Sequence, residues 1–194
     1  MHMQKHNSQA QQRFRQAKNA DSFRNSDIWF TLSFKNDRRV LEHAVATHDQ
    51  LVKDMLAQSP DGDFITQCMF QPLPTIFAKH GTERGGNVLG LNRLTDNAVL
   101  WLATLAVKGA DQEEFGRAKM IEWVKNVEDY AKSVGSDADW KYLNYAYDTQ
   151  DPLASYGAEN VELIRGAAAK YDPEGIFQSR IPGGFKISKS APAS

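Results

Sequence analysis

From Ile28 to Phe34 (IWFTLSF) apolar and polar side chains follow a period of two. This puts Phe30, Leu32 and Phe34 on one face of an extended chain and Trp29, Thr31 and Ser33 on the other. Beyond Asp37 the period lengthens. Val40, Leu41, Ala44, Val45, His48, Leu51, Val52 and Met55 recur at helical spacing until Ser59-Pro60-Asp61-Gly62-Asp63 supplies turn chemistry. Phe64 to Gln71 reads as a second strand stopped by Pro72 and Pro74, and a connection rich in Gly and polar residues runs on to Asn97. Ala98 to Val107 is an unbroken apolar run suited to a central strand. Gly109-Ala110-Asp111 leads into a long helix from Gln112 to about Val134. Its inner stripe is Phe115, Ala118, Met120, Ile121, Val124, Val127 and Tyr130, with Gly135 as its stop. Trp140 to Ala146 reads as a fourth strand. The order β-α-β-β-α-β predicts an α+β fold of the ferredoxin-like split βαβ type, a four-stranded antiparallel sheet with both helices on one face. Asp151-Pro152 and Gly157 then introduce a further amphipathic helix, Ala158 to Ala169, which that fold does not require. The chain thus divides into a polar lead-in (1–26), an α+β domain (27–147), a C-terminal segment (148–187) and a tail (188–194) expected to be disordered.

Composition narrows the function. Of 194 residues 41% are hydrophobic and 24% charged, as in globular domains, and the net charge of -1 offers nucleic acid or an anionic membrane no attraction. A single cysteine, Cys68, excludes an internal disulfide and a thiolate zinc site. The longest apolar run is well short of the ~20 residues a membrane-spanning helix needs. A soluble, cytoplasmic protein is expected, although the acid-free, basic N-terminus would also suit an organellar presequence.

If both helices cover Phe30, Leu32, Phe34, Leu143 and Tyr145, alternation sends Trp29, Thr31, Ser33, Gln67, Met69, Gln71, Trp140, Tyr142 and Asn144 to the opposite face. Aromatic side chains mixed with neutral hydrogen-bonding groups are what pockets for small organic molecules use, and a stacked dimer face has the same composition. Tyr142 and Asn144 are the candidate catalytic residues. Trp29, Thr31, Gln67, Met69, Gln71 and Trp140 are the candidate substrate-binding ones. An acid or base would have to come from loops carrying His80, Asp148 or Asp151. Gly81-Thr82-Glu83-Arg84-Gly85-Gly86-Asn87 lacks the Lys-Ser/Thr of a phosphate loop and reads as a surface turn. His43 and His48, five residues apart, do not share a helical face for a metal, so no metal site is expected. Cys68 reads as a small core residue.

The stretch from Trp140 to Ile187 carries Tyr142-x-Asn144, then Tyr156-Gly157 with Asn160, then Tyr171-Asp172-Pro173 and Phe177. This ordered series resembles the berberine-like C-terminal region of FAD-linked oxidoreductases, the berberine-bridge-enzyme-like family with a vanillyl-alcohol-oxidase-type fold. Residues 28 to 134 are similar to the substrate-binding domain of its fungal branch. The resemblance implies that the uncovered face roofs a flavin ring and holds substrate, with Tyr142 near the substrate and Asn144 near the flavin. The residues present include no glycine-rich pyrophosphate loop and no flavin-attaching His and Cys of that family, so tight FAD binding by this chain alone is not expected.

Three functions are open. The favoured one is a stand-alone, cofactor-free isomerase or cyclase acting on a small hydrophobic, secondary-metabolite-like substrate, where holding a reactive conformer lowers the barrier. The second is the substrate half of an FAD-dependent oxidoreductase completed by a separate FAD domain. The third is a non-catalytic binding homodimer or a truncated relic. A homodimer through the sheet face or the appended segment is expected in the first and third.

Overall fold

The structure is a computed structural model and describes residues 25–190. Almost all of the lead-in, and the last four residues of the tail, lie outside these. Three strands, β1 (Asn25–Lys35), β2 (Phe64–Leu73) and β3 (Ala98–Lys108), form an antiparallel sheet in the order β1-β3-β2. The unbroken apolar run of β3 takes the centre, where both edges are paired and each side chain from Ala98 to Leu105 is buried.

Two long helices, α1 (Arg38–Gln58) and α3 (Ala110–Ser133), lie on one face. The Asp37 carboxylate starts α1 by accepting the Arg39 amide at 3.0 Å, and it also accepts the Ser136 hydroxyl. Hydrogen bonds from Arg39 and Ser136 hold the Asp37 carboxyl well below the usual carboxylate range. The main core joins Phe30, Leu32 and Phe34 of β1 and Trp101, Ala103 and Leu105 of β3 to Val40, Ala44, Leu51 and Met55 of α1 and Met120, Val124 and Val127 of α3. Trp123 of α3 is buried there too; its ring meets Trp101 edge-on at 4.9 Å, and its indole N–H is shared by the Ala44 carbonyl and the Thr47 hydroxyl. A Cβ on Gly116 would stand 2.7 Å from Leu105 Cδ2, so glycine sets how closely α3 crosses β3.

Several expectations need correction. Trp140–Ala146 is not a strand: it is an extended segment followed by a 3-10 turn, Leu143–Tyr145, so the sheet has three strands among the described residues and the ferredoxin-like four-stranded pattern is not completed. From Thr31 to Lys35 the outer edge of β1 is satisfied otherwise. Lys35 donates its amide to the Ser136 carbonyl at 2.7 Å, and Ala138 donates to Ser33 at 3.2 Å. The Ser33 hydroxyl bonds the Trp140 carbonyl at 2.5 Å and accepts the Trp140 amide at 3.2 Å. Further along, the Gln150 side-chain amide accepts from Thr31 N–H at 3.2 Å and donates to the Thr31 carbonyl at 2.7 Å, standing in for a strand backbone.

The connection after β2 is also not all loop. It contains α2 (Thr75–Glu83), started by Pro74, and a 3-10 turn at Leu91–Arg93. Ile121, 41% exposed, and Ala118 prove to lie outside the inner stripe of α3, and Val45 outside that of α1. The C-terminal segment forms α4 (Ala158–Tyr171) and the short α5 (Ile176–Ser179). Within the tail, Ser188–Ser190 are ordered by a 3-10 turn at Ile187–Lys189 and by the Ser190 hydroxyl on Asp151.

Candidate functional site

Strand register fixes which side chains share the face opposite the helices. Trp29, Thr104 and Gln67 form one cross-strand row, Thr31, Leu102 and Met69 the next, and Ser33, Leu100 and Gln71 the third. The C-terminal segment covers one half of this face. There Leu73, Ala98, Leu100, Trp140, Leu153 and Tyr156 form a second core, against which Tyr142, Leu143 and Tyr145 pack. Leu143 and Tyr145 therefore belong to this side, not under the helices as the alternation of a fourth strand required.

Two glycines let that segment sit close. A Cβ on Gly90, at φ +74°, would lie 2.3 Å from the Tyr156 carbonyl oxygen; one on Gly157, at φ +93°, would lie 3.0 Å from Arg93 Cδ. Arg93 in turn donates to the Ser155 carbonyl at 2.9 Å.

The aromatic rings on this face form a continuous series. Tyr156 stacks on Trp140 at 6.4 Å, Trp140 on Tyr142 at 6.0 Å, Tyr142 meets Tyr145 edge-on at 5.0 Å, and Tyr145 leans on Trp29 at 5.8 Å. The series runs from buried to open: Trp140 is 4% exposed and Trp29 40%. Burial pushes the Tyr156 hydroxyl up from its ordinary value, and that hydroxyl accepts the Leu143 amide at 3.3 Å.

Against this geometry the candidate residues divide. Trp29, Gln67, Met69, Gln71, Tyr142 and Asn144 gather on the open half or along its rims. Asn144 donates from Nδ2 to the Tyr142 hydroxyl oxygen at 2.8 Å. Thr31 and Trp140 are closed in by the chain itself. The Thr31 hydroxyl donates to the Trp101 carbonyl at 3.0 Å, and the Trp140 indole N–H donates to Leu89 at 2.7 Å. Sequence reasoning missed Tyr145, which bridges Tyr142 to Trp29, and Gln150, whose amide also accepts from Tyr147 N–H at 3.1 Å. The pattern Tyr142-x-x-Tyr145 held the first signal; nothing local marks the second.

The loop acids and bases serve other partners. Asp148 pairs with Arg117 at 3.3 Å, Asp151 caps the Ala154 amide and holds Ser190, and His80 faces Glu83 at 3.4 Å on the surface of α2. His43 bonds Asn126 at 2.6 Å and stacks on Tyr130. His48 bonds Thr66 at 3.1 Å and stacks on Trp123, and burial holds it below its ordinary value. Cys68 is half-buried under the Trp101 indole N–H at 3.2 Å, and burial raises its thiol. Among the described residues no three His, Cys, Asp or Glu side chains gather as metal ligands. A cavity of about 510 Å³ brings together the two loop acids, Asp148 and Asp151, beside Gln150 and Leu153 and opposite Phe185 and Lys189; the candidate residues of the sheet face do not line it.

The open half fits one side of a planar ring such as a flavin, with aromatic walls and neutral hydrogen-bonding groups. It offers no pyrophosphate cradle. The glycine-rich stretch after α2 closes that helix instead, with Gly86 donating to the Gly81 carbonyl at 2.8 Å. The motif residues of the C-terminal segment have structural work of their own. Asn160 bonds the Tyr156 carbonyl at 2.9 Å, and the Asp172 carboxylate caps α5 through Ile176 and Phe177 at 2.8 and 2.9 Å. Among the described residues no helix is long and apolar enough to cross a membrane.

Comparison with known proteins leads to relatives whose names carry a flavin cofactor. The chain is similar to the FAD-dependent monooxygenase drtC of Aspergillus calidoustus, 43% identical over 162 residues, which are 84% of this chain and 31% of that protein. It is 33% identical over 162 residues to the FAD-dependent monooxygenase sdcF of Emericella nidulans, covering 82% of this chain and 33% of that one. Over 124 residues, 61% of this chain and 23% of the other, it is 34% identical to the bifunctional solanapyrone synthase of Alternaria solani. The chain is thus related to fungal proteins named FAD-dependent monooxygenases, and it spans about a third of the length of those two relatives. No family model and no solved structure matches it.

Proposed function

We propose that this chain is the substrate side of a fungal FAD-dependent oxidoreductase of the berberine-like type, and that the flavin is held by polypeptide beyond residues 25–190. The observation that carries this reading is the one-sidedness of the open half: Trp29, Tyr145 and Tyr142 make a wall with exposed amides beside it, and a wall needs a facing partner to enclose a ligand. Likeness to proteins named FAD-dependent monooxygenases supports a flavin as that partner. Bound there, the flavin would supply the oxidation of the substrate. This chain's own residues would grip a small hydrophobic substrate between aromatic walls, exclude water, and hold its polar atoms at Tyr142 and Gln67.

The test is a chimera in which residues 25–190 replace the homologous third of the Aspergillus calidoustus relative. Energy transfer to a facing flavin should quench the Trp29 emission, defined as the difference from Trp29→Phe, and removing FAD should restore it. A chimera that binds FAD and leaves Trp29 emission unchanged would overturn the reading. The bifunctional synthase among the relatives supports a second one, in which the same face also guides a cofactor-free isomerisation or cyclisation. Turnover that persists in the FAD-stripped chimera would favour it.

A further inference from the structure

Away from the aromatic wall, the cavity of about 510 Å³ between loop 146–153 and segment 183–190 has the size of a small-molecule pocket and no part in the reading above. Part of its lining is apolar: Leu153 belongs to the second core, and Phe185 packs against that core. Gly183 and Gly184 are exposed, with nothing within 4 Å of a Cβ built on either, so this stretch of the lining is open to solvent.

Charge is divided between the two sides. Asp148 and Asp151 lie on the loop, Lys186 and Lys189 on the segment. The acids are engaged within the chain. Asp148 faces the Arg117 guanidinium at 3.3 Å, and Asp151 accepts the Ala154 amide at 3.0 Å and the Ser190 hydroxyl at 3.0 Å. The lysines are freer. Lys186 Nζ gives one N–H to the Phe177 carbonyl at 3.1 Å and keeps two, and Lys189 makes no side-chain hydrogen bond or ion pair among the described residues. With Arg117 set against Asp148, the lining carries one positive charge in excess, beside apolar surface that weakens its screening by water.

From this we infer that the cavity is a second ligand site, independent of the flavin reading, and that it takes an organic carboxylate. The apolar body lies against Leu153 and Phe185, and the anionic end is held by Lys189 and Lys186. Such an occupant bridges the loop and the segment, which the Ser190 hydroxyl on Asp151 already joins at one end.

Calorimetric titration of the full chain with three bicyclic probes of similar size tests it: naphthoate, an anion; naphthalenemethanol, neutral; and naphthylmethylamine, a cation at pH 7. Naphthoate should bind roughly tenfold tighter than the alcohol, the difference between a charge-assisted and a neutral hydrogen bond, and the amine weakest. Lys189→Arg should keep this order. Lys189→Glu, at an exposed position that packing does not hold, should invert it and make the amine the best ligand, which loss of structure cannot do. Hydrogen exchange with naphthoate bound should slow in residues 146–153 and 183–190. Slowing along β2 instead would place the anion on the open wall and overturn the inference. The alcohol or the amine binding as tightly as naphthoate would overturn it too, as would a Lys189→Glu variant with unchanged naphthoate affinity. Inorganic phosphate displacing naphthoate at equal concentration would deny the apolar body any role, and failure of all three probes to bind would remove the site. None of these results touches the emission of Trp29 against a flavin, so the proposed function stands or falls separately.

Discussion

Two buried tryptophans, one on each side of the sheet, are held differently. Trp101 faces the helices: Trp123 and aliphatic side chains close around it, and its one polar atom bonds only Cys68. Trp140 sits on the other side between two tyrosines. Its amide and carbonyl both bond the Ser33 hydroxyl, and its indole N–H bonds Leu89. The helix side is therefore specified by shape and burial, which tolerate volume-conserving exchange. The other side is specified by directional bonds, each of which leaves a buried polar atom behind when broken.

The comparison can be broken most forcefully on the helix side. Trp101→Ala should cost about 3–5 kcal/mol of global stability in urea unfolding, through the cavity it leaves. Gly90→Ala should cost about 2–3 kcal/mol, because a Cβ 2.3 Å from the Tyr156 carbonyl must displace one backbone from another at a positive φ. This loss should be local: hydrogen exchange should speed up in residues 140–190 while β3 stays protected.

Gln150→Leu should cost about 1–2 kcal/mol, since it strands the Thr31 N–H and carbonyl at the β1 edge, and should loosen Tyr145 against Trp29. A red shift of Trp29 emission would show the loosening; an unchanged spectrum would mean the loop holds without its amide pin. A smaller effect belongs to pH. His48 is kept below its ordinary value near 6.5 by burial, so the folded chain favours the neutral ring. The stability this implies is whole above pH 6.5 and falls away as pH drops from there toward the folded value. In His48→Gln that part of the pH–stability curve should flatten. Smallest of all, Asp139 is a non-glycine residue at φ +46°, and Asp139→Gly should raise stability by about 0.5–1 kcal/mol in urea unfolding.

Both sides of the sheet were partly legible in the sequence, for different reasons. Alternation fixes faces, so Trp29, Thr31, Gln67, Met69 and Gln71 could be assigned to one side from spacing alone. The stripes of α1 and α3 follow from the helical period in the same way, apart from Val45, Ala118 and Ile121, which face solvent, and Trp123, which the period does not mark. Trp140–Ala146 misled because its aromatic alternation imitates a strand, while the β1 edge is in fact filled by Ser33 and Gln150, and side-chain substitutes for backbone carry no periodic signature. Pro72, Pro74 and the glycines hid α2, since Pro74 starts that helix and the glycines end it. The split of the face into a sealed and an open half depends on where residues 140–190 come to rest. That is a long-range outcome, which Gly90 and Gly157 permit but do not announce.

The side-chain closure of β1 has a consequence for how the molecule meets copies of itself. A sheet edge with free amides and carbonyls is a template for another strand, and proteins guard against such recruitment. Here residues 136–140 and the Gln150 amide occupy the β1 edge from Thr31 to Lys35, so an incoming strand finds no vacancy along that half of the flank. The outer edge of β2 pairs with no other strand among the described residues, and Pro72 removes a donor near its end. Among the described residues, strand-to-strand recruitment is thereby left to Phe64–Gln71 of β2 and to the start of β1 before Thr31.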